Sequence, residues 1–149
     1  MKNVTPSPRF EQEIKAQGFN DVEALCKDIA LHLSYDDDLS VQYLGRVASL
    51  AYPTDAEDAG LGHIHLWDPS SPWFDSAKQG KWNRARRQFD RTSDTCIVYS
   101  SHWENEDEIL LLGVANPCHT DKAKGKFSKL FDNNFMEYFL EEGLKFNDL

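Results

Sequence analysis

Two apolar, β-branched segments, Thr95–Ser101 and Glu108–Ala115, are separated by a short run containing Glu104-Asn105-Glu106-Asp107. That spacing leaves little choice but a hairpin of two antiparallel strands. A third strand is expected at His63–Leu66, ending before Asp68-Pro69, so the sheet reads as an antiparallel meander. Helices flank it. Asn20 or Asp21 is a suitable cap for a helix through about Leu33, with Val22, Leu25, Cys26, Ile29, Ala30 and Leu33 at helical spacing. Residues 9–17 have weaker helical character and stop at Gly18, and the first residues, with Pro6 and Pro8, are expected to be loose. Residues 39–52 are ambiguous and are read as a short helix, 53–62 as loop, and Lys81–Gln88 as a basic helix or an extended arm.

From about Ala123 to Gly143, Phe127, Leu130, Phe131, Phe135, Met136, Phe139 and Leu140 follow the i, i+3/i+4 rule, which predicts a C-terminal amphipathic helix. The fold class is therefore α+β: N-terminal helices on a twisted antiparallel sheet, closed by that helix. With 149 residues and 40% hydrophobic content, one globular domain is expected over 1–149. Its parts are a helical extension at 1–38, a core at 40–130 and the helix at 123–143.

No apolar run approaches the ~20 residues that cross a bilayer, and Met1–Thr5 lacks a signal-peptide apolar region, so a cytoplasmic protein is expected. Cys26, Cys96 and Cys118 are an odd number without Cys-x-x-Cys spacing, which argues against a disulfide framework or a cysteine zinc site. Asp36-Asp37-Asp38 lacks the glycine and distal Glu of a calcium loop and reads as a solvated turn.

A net charge of −9 argues against nucleic-acid binding by the molecule as a whole. The charge is uneven, though, since residues 76–129 carry 10 bases against 7 acids. Lys78, Lys81, Arg84, Arg86, Arg87 and Arg91 form one cluster, and Lys122, Lys124, Lys126 and Lys129 another. Such a local basic face can bind phosphates on an anionic protein, or be a solvated surface balanced by nearby acids.

The same central span holds the titratable groups. His63 and His65 are two apart on a strand and share a face. They are equally consistent with proton transfer and with backbone-bonded structural histidines; a metal site completed by His102, His119 or Asp94 is a weaker reading, since no further fixed ligand spacing accompanies the pair. Arg91 can hold a phosphate bidentately, or pair with Asp94 in a turn where Asp94 and Thr92 cap backbone groups. His119, in a loop after Pro117, is placed to titrate near neutral pH, or is a plain exposed histidine.

Taken as an ordered set, several segments resemble the YafO family of type II toxin–antitoxin toxins. They are Gly45-Arg46, His63-Ile64-His65-Leu66, Gln88-Phe89-x-Arg91-Thr92-x-Asp94, Val98-Tyr99, the strand Ile109–Val114, Pro117 and His119. The similarity spans roughly residues 40–130. It implies a RelE-like fold and an endoribonuclease that cuts mRNA in the 70S ribosomal A site, neutralised by a cognate antitoxin. It implies metal-free, cofactor-free chemistry ending in a 2′,3′-cyclic phosphate, with His63, His65 and His119 as proton carriers. Arg91, helped by Arg87, would clamp the phosphate, Asp94 would orient a partner, and Tyr99 would stack on a base or donate a proton. Lys81, Arg84, Arg86, Arg87, Lys122, Lys124 and Lys126 would contact RNA. The acidic chain and a long loop from Trp67 to Trp82 depart from that pattern. Two rival functions follow from the residues: a non-catalytic binding protein, and a metal-dependent hydrolase built on the His-x-His pair.

Overall fold

The computed structural model describes residues 1–35 and 37–148, and for Lys124 the backbone only. Asp36 of the acidic triad and the Lys124 side chain lie outside the described set. Among the described residues five strands form one sheet in the order β1-β5-β4-β3-β2. They are β1 (Asn3–Pro6), β2 (Leu44–Ser49), β3 (Leu61–Leu66), β4 (Thr95–Ser101) and β5 (Glu108–Ala115). The α-helices that accompany them among the described residues are α1 (Pro8–Ala16), α2 (Val22–Ser34), α3 (Ser76–Asn83) and α4 (Asn133–Asn147). The α+β class is as expected, but the sheet is mixed. β1 runs parallel to β5, pairing Asn3 with Glu108 through Pro6 with Leu111. The N-terminal residues expected to be loose are thus an edge strand of the sheet.

Local chemistry explains the helix boundaries. Asp21 accepts the Ala24 amide at 3.0 Å, and Ser7 accepts that of Phe10 at 3.1 Å with Pro8 in the first turn. Asp132 caps α4 by accepting the Asn134 and Phe135 amides. Two 3₁₀ turns, Lys122–Lys124 and Lys129–Phe131, occupy the stretch expected to open the C-terminal helix. Consequently Phe127 and Phe131 are 66% and 64% exposed, while Met136 and Phe139 are fully buried.

The sheet separates two apolar layers. On one face Phe10, Ile14, Leu25 and Ile29 from α1 and α2 meet Leu44, Ile64, Leu66, Ile97 and Leu111. On the other, Met136 and Phe139 of α4 cover Leu61, Val98 and Leu112. Burying each such side chain contributes about 1.5–3 kcal/mol, so propensity is secondary to this packing.

β2 corrects the reading of residues 39–52 as a short helix. Its register against β3 slips between Leu44 and Val47, and the Arg46 amide donates to the Arg91 carbonyl at 2.8 Å instead of to a strand partner. Gly45 is required there, because a Cβ would lie 2.5 Å from that carbonyl and 2.7 Å from the Trp82 ring. The segment Lys81–Gln88 divides: Lys81–Asn83 end α3, and a 3₁₀ turn spans Gln88–Asp90.

Candidate active site

Register decides which side chains meet. His63 lies opposite Val98 and His65 opposite Cys96, which places both imidazoles on the α4 side of the sheet. Their ring centroids are 5.3 Å apart, and His119 brings a third ring to 5.7 Å from His65. A cleft of about 360 Å³ opens over them, lined among others by Arg46, Tyr52, His63, His65, His119 and Phe131. A larger groove of about 500 Å³, between Tyr52 and α4, is lined by Glu137 and Glu141 and by no basic side chain.

Each imidazole has a distinct environment. His65 is 4% exposed, and its Nδ1 lies 3.0 Å from the Ser93 amide and 2.9 Å from the Ser93 carbonyl, so Ser93 engages that nitrogen in either tautomer. Burial lowers its pKa to about 3 and that of His63 to about 4. Both are neutral near pH 7, and among the described residues the buried Nδ1 of His63 has no hydrogen-bond partner. His119 stacks on Trp73 at 4.0 Å with rings 6° from parallel. Burial pushes its pKa down, while Asp94, with Oδ1 3.4 Å from Nδ1, opposes that shift.

Asp94 organises the loop that carries His119. Its buried carboxylate accepts the amides of Cys118 at 3.1 Å and His119 at 2.9 Å, and it holds Lys126 in an ion pair. It does not orient Arg91. Lys126, expected to contact RNA, is committed to Asp94.

Arg91 and Tyr99 correct the expected site. Arg91 is 7% exposed, and its guanidinium donates to the carbonyls of Val41 at 3.0 Å and Leu44 at 3.2 Å and lies 5.7 Å from the Trp82 ring. It ties the loop before β2 to the chain after α3 and does not line the histidine cleft. Tyr99 lies opposite Gly62, on the α1/α2 face, where a Cβ on Gly62 would be 2.5 Å from its ring. Burial pushes its phenol up to about 12. A buried ring on the far side of the sheet can neither stack on a base nor donate a proton at the cleft.

Arg46 is the cation that faces the imidazoles, and its charge lowers the pKa of His63, His65 and His119. Its Nε donates to the Phe89 carbonyl at 2.7 Å and its guanidinium lies 3.9 Å from the Phe89 ring. Sequence reasoning placed Arg46 only within a family pattern and gave it no role. Trp73 was missed outright, with no signal beyond an aromatic residue in a loop. Of the metal-ligand candidates, His102 packs on Phe146 beyond the far end of β4, about 20 Å from Cys96 at 3.3 Å per residue. Lys81, Arg84, Arg86, Arg87 and Lys122 are exposed, and Arg87 pairs with Asp90 at 3.2 Å.

Among the described residues no helix is long and apolar enough to cross a membrane. Comparison with curated proteins and with solved structures finds no match. A family model described as "Toxin YafO, type II toxin-antitoxin system" matches residues 32–148, a span that takes in β2 with Arg46, all three clustered imidazoles and α4. The chain belongs to the YafO family of toxins of type II toxin–antitoxin systems.

Proposed function

We propose that this toxin is an endoribonuclease that cleaves ribosome-bound mRNA by acid–base transphosphorylation, without drawing on a metal ion. The observation that carries the reading is the convergence of His63, His65 and His119 with Arg46 around one cleft. The attacking 2′-hydroxyl needs a base that is unprotonated at neutral pH, and burial keeps His63 in that state. His63 takes the 2′-OH proton, the 2′-oxygen bonds to phosphorus, and Arg46 stabilises the phosphorane charge as it develops. His119 gives its proton to the departing 5′-oxygen. The negative charge of Asp94 and of the bound phosphate favours its protonated form, and the Trp73 stack fixes its plane. His65, held by Ser93, spaces the other two.

The stacking role expected of Tyr99 passes to exposed rings near the cleft. These are Phe89, which lies beside both Arg46 and Arg87, and the Tyr52–Phe131 pair, with centroids 5.4 Å apart. The exposed Lys81, Arg84, Arg86, Arg87 and Lys122 supply the contact with RNA phosphates that a net charge of −9 otherwise opposes. As a type II toxin, the chain has a cognate antitoxin as its protein partner.

The reading predicts that expressing the parent chain arrests growth and that His63→Ala and His119→Ala, each folded by circular dichroism, lower mRNA cleavage by about 10²–10⁴-fold and relieve the arrest. Variants as toxic as the parent would overturn the assigned site. A folded parent that neither arrests growth nor cuts RNA would favour a non-catalytic binding role.

A further inference from the structure

The β3–β4 register that pairs the imidazoles also sets a thiol beside them. Cys96 lies directly opposite His65, with Sγ 3.6 Å from Nδ1, and one donor atom from each of His63, His65 and Cys96 falls within 4.8 Å of the others. Zinc–sulfur and zinc–nitrogen bonds of about 2.3 and 2.0 Å, at the tetrahedral angle, put two such ligands about 3.5 Å apart. The His65–Cys96 separation matches that edge, and Nδ1 reaches an ion by giving up its hydrogen bond from the Ser93 amide. Among the described residues the buried His63 Nδ1 has no hydrogen-bond partner, although buried nitrogens in folded proteins are nearly always paired. An unshared lone pair beside a second imidazole and a thiol is a donor set suited to a metal ion.

We propose that His63, His65 and Cys96 form a binding site for a borderline-soft divalent cation of the Zn²⁺ class, and that filling it withdraws the two imidazoles from RNA cleavage. Two nitrogens and a sulfur select such an ion over Mg²⁺ or Ca²⁺, which need oxygen ligands. Asp94, whose charge reaches Cys96, is already engaged by two amides and Lys126. Three protein ligands leave a fourth position for water or a second anion. Burial keeps the Cys96 thiol protonated, so each ion bound displaces one proton from sulfur to solvent. The binding claim stands without the nuclease reading; the inhibitory consequence rests on it.

Co²⁺ titrated into the purified full chain without oxygen separates these. One equivalent is expected to bind with a near-ultraviolet thiolate-to-cobalt band and intense tetrahedral visible bands, all removed by excess Zn²⁺. Cys96→Ser is expected to lose the thiolate band, His63→Ala to weaken Co²⁺ binding more than tenfold, and Cys26→Ser and Cys118→Ser to keep both features. A pale octahedral spectrum, or a thiolate band that survives Cys96→Ser, would overturn the site. Because the readout is optical and uses no RNA, loss of the nuclease reading leaves its outcome unchanged. If the site binds but Zn²⁺ does not slow RNA cleavage, the inhibitory half alone is wrong.

Discussion

Replacing Arg46 by Ala is expected to lower RNA cleavage roughly 10²–10³-fold while costing only about 1 kcal/mol of stability. Arg46 lies at the edge strand β2, and its side-chain hydrogen bond to the Phe89 carbonyl is exposed. Water can replace that bond, but not a fixed guanidinium beside a phosphorane. Arg46→Lys should recover part of the rate, since charge returns without the planar fork. Arg91→Ala should do the reverse. Its guanidinium is buried against two carbonyls and Trp82, so removal strips a charged donor from both carbonyls and opens space beside the ring. A stability loss of about 2–4 kcal/mol is expected, with cleavage per folded molecule nearly unchanged. Chemical denaturation alongside a cleavage assay corrected for folded fraction reads both. Equal rate losses for the two arginines at equal stability would contradict the assignment of the cation to Arg46.

Acid should unfold this protein sooner than its carboxylates alone would require. In the folded chain burial holds His63 at about 4 and His65 at about 3, against an ordinary value near 6.5. The unfolded chain therefore takes up protons that the folded chain refuses as pH falls below 6.5, and stability declines in that direction. It is fully present above the unfolded value and is lost progressively toward the folded ones. Between pH 7.5 and 5 each histidine should remove roughly 2 kcal/mol. His32, buried with Nε2 2.7 Å from the Gly45 carbonyl and likewise lowered chiefly by burial, adds to the slope. Urea unfolding across that range should show the decline, and His63→Gln should flatten it by about one histidine's share. A stability that is level from pH 7.5 to 5 would mean that these imidazoles are solvated.

Much of this architecture was legible in the sequence because local rules fixed it. Asp21 marked the start of α2, β4 and β5 announced themselves by composition, and the alternation in β3 put His63 and His65 on one face. What escaped depended on distant partners. β1 is a strand only because β5, over 100 residues away, offers an open edge, and nothing within Asn3–Pro6 signals it. Leu44–Ser49 bulges, so its apolar alternation breaks at Gly45-Arg46, where the cleft needs a charge. Tyr99 went to the wrong face because parity along β4 is settled only by its register with Gly62. Arg91 and Arg46 are the same residue type in the same family pattern. Only burial separates the one that holds loops together from the one that faces the cleft.

The ends of the RNA fragments test the central claim most directly. With ribosomes and mRNA, the purified toxin should leave a 2′,3′-cyclic phosphate on each upstream fragment and a 5′-hydroxyl on each downstream one, since the 2′-oxygen attacks and the 5′-oxygen leaves. Fragments with a 3′-hydroxyl and a 5′-phosphate would show that water, not the ribose, attacks phosphorus. That result would contradict the roles given to His63 and His119.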